Sequence, residues 1–377
     1  MRFDNLPIHP LILQGLSEMG FTECTPIQKK SLPFSLEGLD VLGKAQTGTG
    51  KTAAFLVALF NDLLNQPTPQ ERYAGEPRAL VVAPTRELVM QIAQDAADIG
   101  KHTGLSMQTV VGGIDYDKQL QKLRAEHVDV LVATPGRLLD YCQKRELFLD
   151  QLEVLVIDEA DRMLDMGFIP QVKHIVRLSP KNEYRMTLLF SATFSDDVLR
   201  LSERWMHDPV TIEVEPETIT TKQVDQKVYY VSESDKLATL DKIIQREEVE
   251  SLIVFANRRD QCRDLTAALK KRGFKVGLLS GEVAQAKRIK TLEQFKDGHI
   301  NVLVATDVAG RGIHIDGITH VVNYTLPEDA EDYVHRIGRT GRAGKKGVSI
   351  SFASEDDSFV LPEIEKLINM KIPHHVI

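Results

Sequence analysis

Lys51 and Thr52 close the stretch Ala45-Gln46-Thr47-Gly48-Thr49-Gly50-Lys51-Thr52, and an ammonium beside a hydroxyl at the end of a glycine-rich turn suits a polyphosphate. Gly48 and Gly50 can take positive φ, so that successive backbone N–H groups of the turn, from Gln46 through Thr47 and Thr49, can point inward at a helix N-terminus. Lys51 is then expected to meet the β- and γ-phosphates, and Thr52 to offer its hydroxyl to Mg²⁺, a hard cation held by a few protein oxygens and the phosphates. The general pattern G-x-x-x-x-G-K-[ST] has Gly where this chain has Ala45, a departure that narrows the set of proteins it can belong to. A second cluster, Asp158-Glu159-Ala160-Asp161, follows the apolar run Val154–Ile157. Asp158 is expected to hold Mg²⁺ through water, and Glu159 to position or deprotonate the water that attacks the γ-phosphate. The alternative for Asp158 is a helix cap.

These residues need a scaffold that ends strands where ligands bind. Asp40-Val41-Leu42 feeds the glycine-rich loop, and Ala53–Phe60 follows it with mostly apolar helix formers. Pro26 suits the first turn of a helix entered at Thr25, and Gln66–Pro77 is too polar and proline-rich to pack. Short apolar runs at Ala79–Ala83, Val128–Ala133, Val154–Ile157 and Thr187–Phe190 alternate with amphipathic stretches, which predicts a parallel sheet covered on both faces. The stretch Val214–Lys222 is polar and aperiodic, and beyond it the alternation resumes at Leu252–Ala256, Val276–Leu279, Asn301–Ala305 and His320–Tyr324. The fold class read from this is α/β, with a nucleotide-binding domain over 1–213, a linker at 214–224 and a second α/β domain over 225–377. The second domain has no phosphate loop of its own, so a part in the chemistry means contributing groups to the nucleotide of the first.

Length and composition agree with this division. A chain of 377 residues exceeds one ordinary core, and 42% hydrophobic with 27% charged residues is usual for globular protein. No apolar run is long enough to cross a bilayer, and Met1–Asn5 lacks a signal-peptide core, so a cytoplasmic location without membrane attachment is expected. Cys24, Cys142 and Cys262 are widely spaced and read as free thiols, with no disulfide or zinc expected. The net charge of −8 argues against a generally basic surface, so any contact with nucleic acid must use local clusters.

The tetrapeptide Asp158–Asp161, with Ala45–Thr52 before it, resembles the DEAD-box RNA helicase family, and the resemblance extends over essentially the whole chain. It implies two tandem RecA-like domains, ATP with Mg²⁺, and single-stranded and short duplex RNA as the partner. Gly20-Phe21 through Gln28 is similar to the family's Q motif, which implies adenine recognition by Gln28 with Phe3 stacking on the base. Thr85, Arg86, Gly113, Thr134 and Arg137 fall in motifs that family members use on the RNA backbone, and Thr306 joins them from the second domain. Such contacts carry no base sequence information. Ser191-Ala192-Thr193 matches the segment that couples the nucleotide to domain closure, and His335 belongs with it; Asp307 is assigned to the nucleotide. A subgroup that this chain resembles works with a degradosome ribonuclease, which is the protein partner implied.

Arg339 and Arg342 are three apart, a helical spacing that would put two permanently charged guanidinium groups on one face, and they are candidate arginine fingers. The family's usual Asp after a Gly-hydrophobic pair is His314 here, which puts a ribose contact in doubt. The leading expectation is RNA-stimulated ATP hydrolysis that separates short duplexes as two domains close. The alternatives are an ATP-gated RNA clamp or scaffold with little unwinding, and a DNA helicase.

Overall fold

The fold is that of a computed structural model, which describes all residues except 47, 67, 69–70, 215–223, 247–248, 284, 308–317, 342–345, 355–356, 358 and 376–377, and the side chains of 246, 285–286 and 331. Thr47, Arg342, His314 and most of the expected linker 214–224 therefore lie outside the described residues. The chain divides into two compact units, Met1–Glu215 and Pro216–Ile377.

Seven parallel strands make the sheet of the first unit: β1 (Val41–Lys44), β2 (Ala79–Val82), β3 (Met107–Val110), β4 (Val130–Ala133), β5 (Val154–Ile157), β6 (Met186–Ser191) and β7 (Val210–Glu213). Their spatial order is β3-β4-β2-β5-β6-β1-β7. Successive side chains of a strand point to opposite faces, and here the two faces feed two cores. Val41, Val81, Val132, Val156 and Phe190 join one hydrophobic cluster with the helix Lys51–Asn65. Leu42, Leu80, Leu131, Leu155 and Leu189 join the other. Both faces are covered, which is why these strands read as unbroken apolar runs. The edge strands escape that reading: β3 is Met-Gln-Thr-Val, half-buried along most of its length.

Close packing fixes β1. Phe190 lies across it, and a Cβ on Gly43 would come within 2.6 Å of that ring. Asp40, buried just before β1, accepts hydrogen bonds from the backbone N–H of Thr187 (2.6 Å) and of His207 (2.7 Å), tying the amino end of β1 to its neighbours on either side.

The second unit repeats the arrangement, with β8 (Val224–Tyr230), β9 (Leu252–Phe255), β10 (Val276–Leu279), β11 (Val302–Ala305), β12 (His320–Asn323), β13 (Gly347–Ala353) and β14 (His374–His375). These strands are again parallel, in the order β10-β11-β9-β12-β13-β8-β14. Leu252, Val254, Val302 and Val304 pack on one face, and Ile253, Phe255, Leu303 and Ala305 on the other. β8 begins at Val224, where the sequence suggests a linker, because its alternating residues look polar until their buried half is known.

Candidate nucleotide and nucleic-acid site

In an open parallel sheet, ligands bind beyond the carboxyl ends of the strands. The strand order of the first unit divides that edge in two. Adjacent β1, β6 and β5 end at the glycine-rich loop, at Ser191 and at Asp158, while adjacent β3, β4 and β2 end at Gly112-Gly113, Thr134 and Thr85.

The loop leads into the helix Lys51–Asn65 through Gly50, whose φ is +89°. A side chain there would be strained, and its Cβ would lie 2.6 Å from Gln28 Nε2. Gln28 is buried at the start of the helix Pro26–Ser35; its Oε1 accepts from Thr25 N (2.8 Å) and its Nε2 donates to the Gly50 carbonyl (2.9 Å). The amide thus braces the phosphate loop and keeps one N–H and one lone pair in hand. Inside the loop, Thr49 Oγ1 donates to the Gln46 carbonyl at 2.7 Å, while Gly48 is exposed and has φ +83°.

Lys51 turns inward. Its side chain is 5% exposed and its Nζ stands 3.5 Å from Asp158 Oδ1, in a carboxylate side chain 3% exposed, with no hydrogen bond to any described residue. Burial works against the ammonium charge, but Asp158, Glu159 and Asp161 together outweigh it and raise Lys51 above its ordinary value. Burial pushes Asp158 up; Lys51 opposes this and Glu159 adds to it. The carboxylates around Lys51 thus keep it charged although it is buried. Thr52 is half-buried on the first helical turn. Among the described residues no group of three or more His, Cys, Asp or Glu is placed to hold a metal. Asp158, buried beside Lys51, and Thr52, on the first turn behind the loop, are oxygen donors of the kind Mg²⁺ takes when phosphate and water oxygens fill its other positions.

Glu159 follows with φ +55° and ψ +54°, a left-handed conformation that costs on the order of 1–3 kcal/mol for a residue with a side chain and that clusters at functional sites. Its Oε2 receives a 2.9 Å bond from Arg162 Nη1, and both side chains are buried. Arg162 carries no role in the sequence reading, yet it was legible as the residue three positions on from Glu159, where a helix brings side chains together. Asp161 is also more than part of a motif. Its Oδ2 accepts from the backbone N–H of Ala192 and Thr193, each at 3.1 Å, and its own N–H donates to Ser191 Oγ at 3.2 Å. The Ser191 carbonyl accepts from Ala45 N at 3.0 Å. Ser191, at the end of the strand between β1 and β5, is bonded at once to the phosphate loop and to the acidic cluster.

On the other half of the edge, Thr85 caps the helix Arg86–Ile99, its Oγ1 accepting from Leu88 N at 3.3 Å. Arg86 lies over the Gly112-Gly113 turn; a Cβ on Gly113, whose φ is +76°, would fall 2.0 Å from Arg86 Nη1. Thr134 precedes the helix Pro135–Gln143 and Arg137 is on its first turn. The five candidates for phosphate contact are thus gathered on adjacent strand ends.

Three further candidates have close partners inside the fold. Phe3 is 2% exposed and belongs to the hydrophobic core, and the antiparallel bridge Arg2 to Glu23 lies beside it. Arg339 does not continue a helical face, because the helix Ala330–Ile337 ends at Gly338; it is 3% exposed, with Nε donating to the His335 carbonyl at 3.2 Å. Asp307, assigned to the nucleotide, is gripped by Arg336, whose Nε and Nη2 donate to its two oxygens at 2.5 and 2.6 Å. Arg336, 2% exposed, also donates to the Thr325 carbonyl (2.6 Å) and to Asn257 Oδ1 (2.7 Å). It lies within the quoted His335–Arg342 segment but without a role, since sequence cannot separate a buried arginine from an exposed one. Thr306 is buried beside Asp307, and His335 Nδ1 stands 3.8 Å from Asp332 Oδ1.

A phosphate loop followed by an acidic cluster in the first of two α/β units agrees with what comparisons with known proteins find. Residues 25–201 match the DEAD/DEAH box helicase model and residues 235–344 the helicase conserved C-terminal domain. The chain belongs to the DEAD/DEAH box helicase family. Within it, the chain is 57% identical over 371 residues to the ATP-dependent RNA helicase RhlB of Pseudomonas aeruginosa, covering 98% of this chain and 94% of that one. RhlB of Shewanella sp. strain MR-4 is 50% identical, with 99% and 84% covered. Among solved structures, S. cerevisiae Dbp5 bound to RNA and ADP BeF3 aligns with a TM-score of 0.87 at 32% identity, covering 99% and 95%. Mss116p bound to ssRNA and AMP-PNP aligns at 0.88 and 29% identity, covering 100% and 80%.

Proposed function

We propose that the protein is an ATP-dependent RNA helicase that hydrolyses ATP in response to RNA and separates short duplexes as its two domains close. The observation that carries this reading is Lys51, a buried ammonium without a hydrogen-bond partner among the described residues, facing Asp158 across a loop shaped for phosphates. Lys51 and the N–H groups of the loop bind the β- and γ-phosphates, and Gln28 offers its spare donor and acceptor to adenine. Thr52 and Asp158 would hold Mg²⁺, which neutralises charge on the transferring phosphoryl group. Glu159, oriented by Arg162, takes the proton of the attacking water as its oxygen bonds to the γ-phosphorus and the bond to ADP breaks.

RNA lies along Thr85, Arg86, Gly113, Thr134 and Arg137, with Thr306 contributing from the second domain, and is held by its phosphates. Ser191, Thr193 and His335 relay the nucleotide state, and Arg339 with Arg342 completes the charge around the γ-phosphate on closure. Asp307 serves this end through Arg336. We extend the proposal to RNA decay in the cytoplasm beside a degradosome ribonuclease, the partner that the sequence resemblance implies.

The test is steady-state ATPase activity with and without single-stranded RNA, alongside displacement of one strand of a short RNA duplex. RNA-stimulated turnover with strand displacement is expected. Slow hydrolysis at saturating RNA would identify a clamp instead, and equal stimulation by DNA would remove the preference for the 2′-hydroxyl.

A further inference from the structure

Beside the Gly112-Gly113 turn lies a group of aromatic and basic side chains to which the helicase reading gives only one member, Arg137. The helix Tyr116–Ala125 opens with Tyr116, and the helix Pro135–Gln143 carries Arg137 and Tyr141. The two tyrosine rings are 4.7 Å apart, and Tyr141, fully buried, donates its hydroxyl to the Tyr116 carbonyl at 2.9 Å. The pair is therefore anchored to the core at one end. The Arg137 guanidinium carbon lies 5.2 Å from the Tyr116 ring centre and 5.8 Å from that of Tyr141. Both its Nη atoms reach the Ile114 carbonyl, at 3.4 Å, in the turn that Gly113 begins. A second cation shares the ring: Lys144 Nζ is 4.3 Å from the centre of Tyr116, on a side chain that is otherwise exposed and paired with Asp140 at 3.1 Å.

A guanidinium on a ring face loses little of its attraction for anions, because the ring supplies no competing charge, yet it gives up much of its rotational freedom. A half-buried tyrosine between two flexible cations thus works as a template that sets their positions before a ligand arrives, and preorganisation lowers the entropic cost of binding. We infer that Tyr116 is a positioning residue that presents Arg137 to the RNA backbone, and that Lys144, on the same ring, supplies a further phosphate contact. The inference rests on the RNA-binding reading above. The ligand class is the phosphodiester backbone of single-stranded RNA.

The test uses the full chain and a fluorescent decauridylate, with affinity read by anisotropy across a salt series. Tyr116→Leu is expected to weaken binding about three- to tenfold, the range of one cation–π contact, and to raise the RNA concentration for half-maximal ATPase while turnover at saturating RNA persists. Tyr116→Phe, which keeps the ring, restores affinity. Tyr116→Leu adds little once Arg137→Ala is present, because the residue it positions is gone. Lys144→Ala, at an exposed position that does not threaten folding, reduces the salt slope by about one phosphate contact. Affinity lost on Arg137→Ala but unchanged by Tyr116→Leu, or an undiminished effect of Tyr116→Leu in the Arg137→Ala background, overturns the positioning role while leaving the helicase reading intact. An unchanged salt slope on Lys144→Ala removes the added contact. No binding of decauridylate by the unaltered chain overturns the RNA reading itself.

Discussion

Arg336→Met should unfold the second unit selectively. Arg336 is 2% exposed, holds both oxygens of Asp307 at 2.5 and 2.6 Å, satisfies Asn257 and the Thr325 carbonyl, and lies 5.3 Å from the Phe255 ring. Methionine fills much of the volume but leaves the Asp307 carboxylate in a largely enclosed site without its countercharge. Removing one partner of a buried pair costs about 3–5 kcal/mol. With a urea dependence of about 2 kcal/mol per molar for a domain of this size, the midpoint of the second unit should fall by roughly 1.5–2.5 M. The only tryptophan of the chain, Trp205, is buried in the first unit, so its fluorescence follows that unit alone while far-UV circular dichroism follows both. The expected result is an early dichroism transition with an unmoved fluorescence transition. Adding Asp307→Asn should recover a sizeable part of the loss, since the stranded charge is gone. A change under about 1 kcal/mol in the single variant would refute the view that this pair holds the second unit together.

Glu159→Gln should keep ATP and RNA binding and lose most hydrolysis, because an amide cannot accept the water's proton; near-parental turnover excludes Glu159 as the base. Arg162→Met should lower kcat at unchanged ATP KM, and should have no further effect on the Glu159→Gln protein, which a double-mutant cycle measures. A chain ending at Glu215 should bind ATP weakly and hydrolyse it hardly at all, with or without RNA, because arginine fingers are worth about 10³–10⁵ in kcat; turnover like that of the full chain would show one domain to be sufficient. Burial, and then Asp98, push the Asp95 carboxyl up to about 6. The folded chain therefore holds a proton that the unfolded chain releases above its ordinary value of 3.8, and stability falls as the pH rises from there through 6. Asp95→Asn should accordingly be more stable than the parent above pH 6 by about 1 kcal/mol, after discounting for partial exposure, with the difference gone near pH 4 in thermal melts.

The sequence by itself carried whatever depends on local order. The run Ala45–Thr52 and the pair Asp158-Glu159 are contiguous, and their chemistry follows from residue type and spacing. The apolar runs named the central strands because a strand buried on both faces leaves no polar alternation to confuse it, as the two clusters on either side of the first sheet make plain. What tertiary structure decided concerns residues far apart in the chain. Strand order put β6 between β1 and β5, and only that order lets Ser191 bond Ala45 on one side and Asp161 on the other. Helical spacing suggested a shared face for Arg339 and Arg342, but spacing says nothing of where a helix stops, and Gly338 ends this one. Phe3 and Arg336 make the same point. An aromatic ring or a guanidinium looks alike in sequence whether it faces a ligand or the core, and its role is fixed by neighbours that the fold brings from elsewhere: Thr22 and Glu23 about the Phe3 segment, and Asp307, Asn257 and Thr325 around Arg336.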